Sequence, residues 1–298
     1  MRHVLFVVLI ALVASFETGR ALATPFEPAT VPEQVEAVGH LDVDALRKTQ
    51  LFATVGGQAA IDAALDEAPP AMRSVIKSLT RSVRSVSFWK DSDHGAVYVD
   101  TRDARGLAQL IAKLPVKPLP SIEGFPTYAL PDNKHTDKEG VCAAFGGTLV
   151  MSDSEASLER ALRVLGGKAA SLAGSSKLPA SIRQGVFVFV ALGDHALGAI
   201  QKSAHSKVLQ LGLRSVVVDV GEAGGQVTAS ARAEMKSADA LQKARSILDG
   251  LRSLASLSDE PAAHTLVDAV TVTASGLTLE VAARLPVTEI AKVIQHTR

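Results

Sequence analysis

Hydrophobic and polar positions alternate over several stretches of this chain, and between them apolar residues recur every three or four positions. The first alternating run covers residues 34–43 and predicts a strand. A helix opens behind it near Asp44-Ala45-Leu46, with Asp42 or Asp44 as its N-cap. Residues 184–192 predict a second such strand. Its centre, Val186-Phe187-Val188-Phe189-Val190, is apolar on both faces and calls for cover on both. Asp194-His195-Ala196-Leu197 then opens another helix.

The parallel between the two regions continues. Arg84-Ser85-Val86 and Arg214-Ser215-Val216 begin strands 130 positions apart, and Val97 and Val227 repeat that offset in the strands that follow. Leu107, Leu110, Ile111 and Leu114 share one helix face, as do Leu241, Ala244, Leu248 and Leu251. Each region then closes with a strand pair and a helix. Gly147 and Gly276, 129 apart, sit in the two hairpin turns, and Ser152-Asp153-Ser154-Glu155 supplies a capping-box-like start to the helix after the first. The expected fold is α+β: two tandem copies of a β-α-β-β-α-β-β-α unit, with largely antiparallel sheets and helices packed on one side. The copies cover 34–168, which includes a helical insertion at 56–79, and 183–298. Residues 24–33 form an extended leader and 169–182 a linker.

Composition narrows the function. Hydrophobic residues are 47% and charged residues 21% of 298, a globular balance with length for about two domains. Lys+Arg and Asp+Glu both number 31, so no basic surplus marks a nucleic-acid partner. A 4% aromatic content leaves few rings for stacking bases or sugars. One cysteine excludes an intrachain disulfide framework and a cysteine-based zinc or iron–sulfur site.

The start of the chain indicates a compartment. Arg2 and His3 precede an uncharged run from Val4 to Phe16, too short to span a ~30 Å hydrocarbon core. Ala21-Leu22-Ala23 follows as a small-x-small site, so 1–23 reads as a cleaved secretory signal. No later segment is long and apolar enough to cross a bilayer. The expected location is the periplasm or cell envelope, or outside the cell. In the expected mature chain, Val38-Gly39-His40-Leu41-Asp42-Val43-Asp44-Ala45-Leu46, leading to Leu51-Phe52, resembles a recurring feature of exported bacterial proteins built from duplicated α+β units. Those proteins usually carry no assigned activity, and the resemblance implies no catalytic residues.

Several side-chain groups suggest chemistry, and each has a plainer explanation. His40, Asp42 and Asp44 fall at alternate positions, on one face of the first strand. Same-face residues are ~6.5–7 Å apart along a strand, a poor fit to metal-ligand bonds of about 2.0–2.2 Å, so capping is the better role. The loop 132–138 and the turn at Asp91, Asp93 and His94 read as exposed turns. Cys142 lies in an apolar run and reads as a small buried hydrophobe. Arg73, Lys77 and Arg81, at i, i+4 and i+8, form a basic stripe on a helix whose apolar positions are Met72, Val75, Ile76 and Leu79. Such a helix suits an acidic partner or peripheral contact with an anionic membrane. It is the candidate partner-binding stripe.

There is no G-x-S-x-G elbow, H-E-x-x-H, Walker loop or Rossmann fingerprint. No catalytic, cofactor-binding or metal residues are assigned and no cofactor is expected. The reading is an exported, non-catalytic binding or interaction scaffold of the bacterial cell envelope, its partner a protein or small molecule. It calls for an exposed apolar patch beside Arg73, Lys77 and Arg81. The alternative is a soluble envelope carrier or sensor of a small hydrophobic or anionic ligand, which calls for a closed internal cavity.

Overall fold

The alternating segments pair with one another as hairpins, and the hairpins join edge to edge. A computed structural model of the chain describes residues 26–66, 73, 77, 80–112, 116–130, 140–175, 178, 185–203, 212–257 and 261–296. The expected signal (1–23), the loop 132–138 and Pro69-Pro70 lie outside these residues.

In chain order the elements are β1 (Ala37–Asp42), α1 (Val43–Arg47), α2 (Gln50–Thr54), α3 (Gly57–Asp66), β2 (Val83–Lys90), β3 (Gly95–Thr101) and α4 (Ala104–Ile111). There follow β4 (Lys117–Ile122), β5 (Phe125–Ala129), β6 (Val141–Phe145), β7 (Thr148–Ser152) and α5 (Glu155–Leu165). The remainder forms β8 (Val186–Gly193), α6 (Asp194–Ser203), β9 (Leu213–Ala223), β10 (Gln226–Met235), α7 (Ala238–Ser256), α8 (Pro261–Ala269), β11 (Val270–Ser275), β12 (Thr278–Pro286) and α9 (Val287–His296). The strands among the described residues make one twelve-stranded sheet, ordered β11-β12-β10-β9-β8-β1-β2-β3-β7-β6-β5-β4. Neighbouring strands are antiparallel throughout.

The seam of this sheet is the pair β1–β8, with Gly39 opposite Val190 on one side and Phe88 on the other. A Cβ at Gly39 would stand 2.1 Å from the Phe88 ring, so the glycine is what lets that ring lie flat across the seam. Outward from the seam the order is β1-β2-β3-β7-β6 in one direction and β8-β9-β10-β12-β11 in the other. The first direction also carries the hairpin β4–β5. Its prolines, Pro118 and Pro120, are tolerated because β4 is an edge strand and lacks a neighbour on one side.

The helices do not all pack on one side, as the alternation suggested. Side chains of a strand point alternately to the two faces, and both faces of β1–β3 and β6–β7 are dry. On one face α5 lays Leu158, Ala161 and Leu162 over Val38, Trp89, Tyr98, Ala143 and Val150. On the other, α4 lays Leu107 and Ile111 over Val86, Val99, Cys142 and Leu149. A sheet buried on both faces needs cover on both, which reverses the one-sided expectation.

The leader is not simply extended. Pro28–Thr30 make a 3-10 turn, and Phe26 and Val31 enter the same core as α5. It is fastened to the linker: the Glu33 amide donates to the Ala170 carbonyl at 3.2 Å, and the Leu172 amide to that of Val31 at 2.8 Å. Together they form a strap over the α5 face.

Candidate functional site

The strand and helix ends position the groups singled out above. Asp42 ends β1 and caps α1, its Oδ1 accepting from the Ala45 amide at 2.8 Å. His40 is buried, its Nδ1 2.8 Å from the Ser87 hydroxyl and its ring against Phe26. Asp44 is not on that strand face, because β1 stops at Asp42. Its side chain is fully buried, and Oδ1 accepts from Arg102 at 2.6 Å and from Arg47 at 3.1 Å. Arg47 also donates to the Val83 and Thr80 carbonyls. Burial draws the Arg47 guanidinium down to about 9 against the pull of Asp44. The three residues therefore serve a cap, a core and an ion cluster. Among the described residues no group of three His, Cys, Asp or Glu side chains is placed to hold a metal.

Arg73, Lys77 and Arg81 are helical. Arg73 and Lys77 are half-buried and Arg81 is exposed. The Lys77 carbonyl accepts from the Thr80 hydroxyl, and the Thr80 carbonyl from Arg47, which ties this helix end to the Asp44 cluster. Asp91 is a turn residue, as its position suggested, accepting from the Asp93 and His94 amides at 2.9 and 2.6 Å. It also pairs with Arg160, whose guanidinium lies 5.3 Å from the centre of the Trp89 ring. Burial works against the Asp91 charge, yet these donors together hold its carboxyl below the ordinary range. Cys142 is buried, and burial pushes its thiol up to about 11, away from nucleophilic chemistry.

At one end of the β1–β8 seam lies an open cleft of about 680 Å³. Glu36, Asp91, Asp194, His195, Arg214 and Glu234 supply its charge. Nearly all of that charge is matched within the protein. Asp91 meets Arg160, Asp194 meets Lys236 at 2.6 Å, and Glu234 meets Arg214 at 2.9 Å. Glu36 faces His195 at 3.9 Å. Of these pairs only Glu36–His195 joins the two sides of the seam, and the pairing leaves little charge for a ligand.

A different surface is unmatched. In α7, Leu241, Ala244 and Leu248 pack with Met235, Leu279 and Val272. Beyond that cluster the same helix continues for two more turns. Leu251, Leu254 and Leu257 are 54%, 67% and 78% exposed. The regular leucine spacing is visible in the sequence, and Leu251 was expected on the packed face. What the spacing does not show is that the partner strands stop contributing after Leu248. Among the described residues, this run of exposed leucines stands on α7, while Met72, Val75, Ile76 and Leu79 beside the basic stripe lie outside them.

The chain matches no protein-family model and no curated protein sequence. It is similar to solved structures of TP0453. Crystal form III superposes with a TM-score of 0.54 at 9% identity, covering 92% of this chain and 99% of that one. Crystal forms I and IV each give 0.52, at 12% and 10% identity, covering 93% and 92% of this chain and 98% of each neighbour. At such identity the likeness is one of fold: a mixed α/β chain built on a large antiparallel sheet.

Proposed function

We propose that this protein is an exported, non-catalytic interaction scaffold of the cell envelope, and that its contact surface is the leucine-bearing end of α7. The observation that carries the reading is the exposure of Leu251 and Leu254 on α7 and of Leu257 at its C-cap, each three positions after the last. Large apolar side chains scattered singly on a surface need no explanation, but a row of three on one helix does. Charges around the stripe are mixed: Lys243 pairs with Asp239, and Arg245 with Asp249. A surface of that kind favours the apolar groove of a partner protein over an anionic lipid surface. The carrier alternative needs an enclosed chamber, and the seam cleft is open to solvent.

Two features support the tandem-unit reading of the scaffold. The strands on the two sides of the seam follow one another in matching order, and the Arg-Ser-Val strands β2 and β9 flank the seam pair on either side. Export rests on the basic start, apolar run and Ala21-Leu22-Ala23 site.

Native mass spectrometry of the protein purified from the envelope without denaturation tests the reading. The wild type should carry a partner mass that a Leu251→Glu, Leu254→Glu, Leu257→Glu variant lacks, with the free chain beginning at Thr24. The same complex in the variant, or a retained small molecule in place of a protein, would overturn it.

A further inference from the structure

The face of the sheet that α5 and the strap cover turns polar once it passes the seam. Along β9, β10 and β12 it presents Asp219, Thr228, Ser230, Arg232, Glu280 and Arg284. Here an open hollow of about 350 Å³, roughly ten water volumes, is lined by Asp219, Ser230, Thr228, Thr271, Ala282 and Arg284 among others. Its room comes from small residues. Where the chain approaches β8, Gly185 crosses Gly221 so closely that a Cβ on Gly221 would stand 2.5 Å from the Gly185 carbonyl oxygen.

Asp219 is 7% exposed and Ser230 is 7% exposed, and the Ser230 hydroxyl donates to Asp219 Oδ2 at 2.8 Å. Among the described residues that hydroxyl is the only partner of this carboxylate. Several other acids instead meet a cation. Asp44 has Arg47 and Arg102, Asp91 has Arg160, Asp194 has Lys236, and Glu234 has Arg214. Glu222, at the edge of the same hollow, accepts the Gln50 and Leu51 amides at the start of α2. Arg232, one residue pair further along the face, makes no ion pair with Asp219. The Ser230 hydroxyl occupies only Oδ2, so Asp219, which lines the hollow, keeps acceptor capacity that a charged donor would fill.

We infer that this hollow is a binding site for a small organic cation, whose ammonium group meets Asp219 beside Ser230. One carboxylate among hydroxyls is a poor donor set for a metal, whereas an alkylammonium brings N–H donors for Asp219 and a short apolar stem for the alanine-lined wall. Arg284, exposed at the rim, disfavours a second positive charge on the ligand. The site is independent of the α7 surface and goes beyond the scaffold reading.

Titration of the full chain with n-butylammonium chloride, followed by calorimetry or NMR, tests the site, with sodium butyrate as the matched anion. Saturable binding of the ammonium and none of butyrate is expected. Asp219→Asn should weaken it at least tenfold. Arg284→Glu, at an exposed position that leaves folding undisturbed, should tighten it several-fold. Absence of saturable binding, equal binding of butyrate, or affinities unmoved by both substitutions would overturn the proposal.

Discussion

Trp89, the one tryptophan, shows how individual side chains carry this fold. It is 1% exposed, its indole N–H donates to the Tyr98 hydroxyl at 2.8 Å, and Arg160 lies over its ring. Burial pushes the Tyr98 hydroxyl well above its ordinary range. Tyr98→Phe removes the acceptor and strands a buried donor, which should cost about 1–3 kcal/mol in urea denaturation. An unchanged midpoint would mean the indole finds another acceptor. Asp91, held below the ordinary carboxyl range, contributes stability that is present above the unfolded carboxyl pKa of ~3.9 and lost as pH falls through its lower folded value. Asp91→Asn should therefore flatten the acid limb of stability below about pH 4, read from midpoints across pH; an identical limb in the variant would remove Asp91 from the account.

At the scale of elements, packing separates helices that look alike in sequence. Both α5 and α7 bear apolar residues at spacings of three and four, but Leu162 is 1% exposed and Leu254 is 67% exposed. Leu162→Ala should destabilise by about 2–5 kcal/mol through lost transfer energy and a cavity. Leu254→Ala should leave the denaturation midpoint unmoved while weakening partner binding. Equal stability losses would show that α7 packs along its whole length. The caps and strands were legible because they are local: Asp42 before α1, Ser154 before α5, and the runs that became β1 and β8. The hairpin β4–β5 was hidden by Pro118 and Pro120, which argue against a strand except at an edge. The exposed leucines were hidden for a related reason. Periodicity shows that a helix has an apolar face, and only tertiary contacts show how much of that face is covered.

For the whole molecule, the decisive contact is the seam. Pairing of β1 with β8 joins residues about 150 positions apart, a distance over which no local pattern reports. It joins the strands of both regions into one sheet, which the sequence pattern left open, and the strap of leader and linker passes across the same face. Unfolding should accordingly be a single event. Trp89 fluorescence and a probe attached to β10 should give coincident urea transitions, and two separated transitions would show that the halves are energetically independent.

A photo-crosslinking residue placed at position 254 in the exporting cell tests whether a partner protein docks on the end of α7. One discrete protein adduct is expected at 254, abolished by Leu251→Glu and Leu257→Glu, and none at Lys243 on the ion-paired side of the same helix. Adducts to lipid alone, together with co-sedimentation of the purified protein with anionic vesicles through the same leucines, would contradict it.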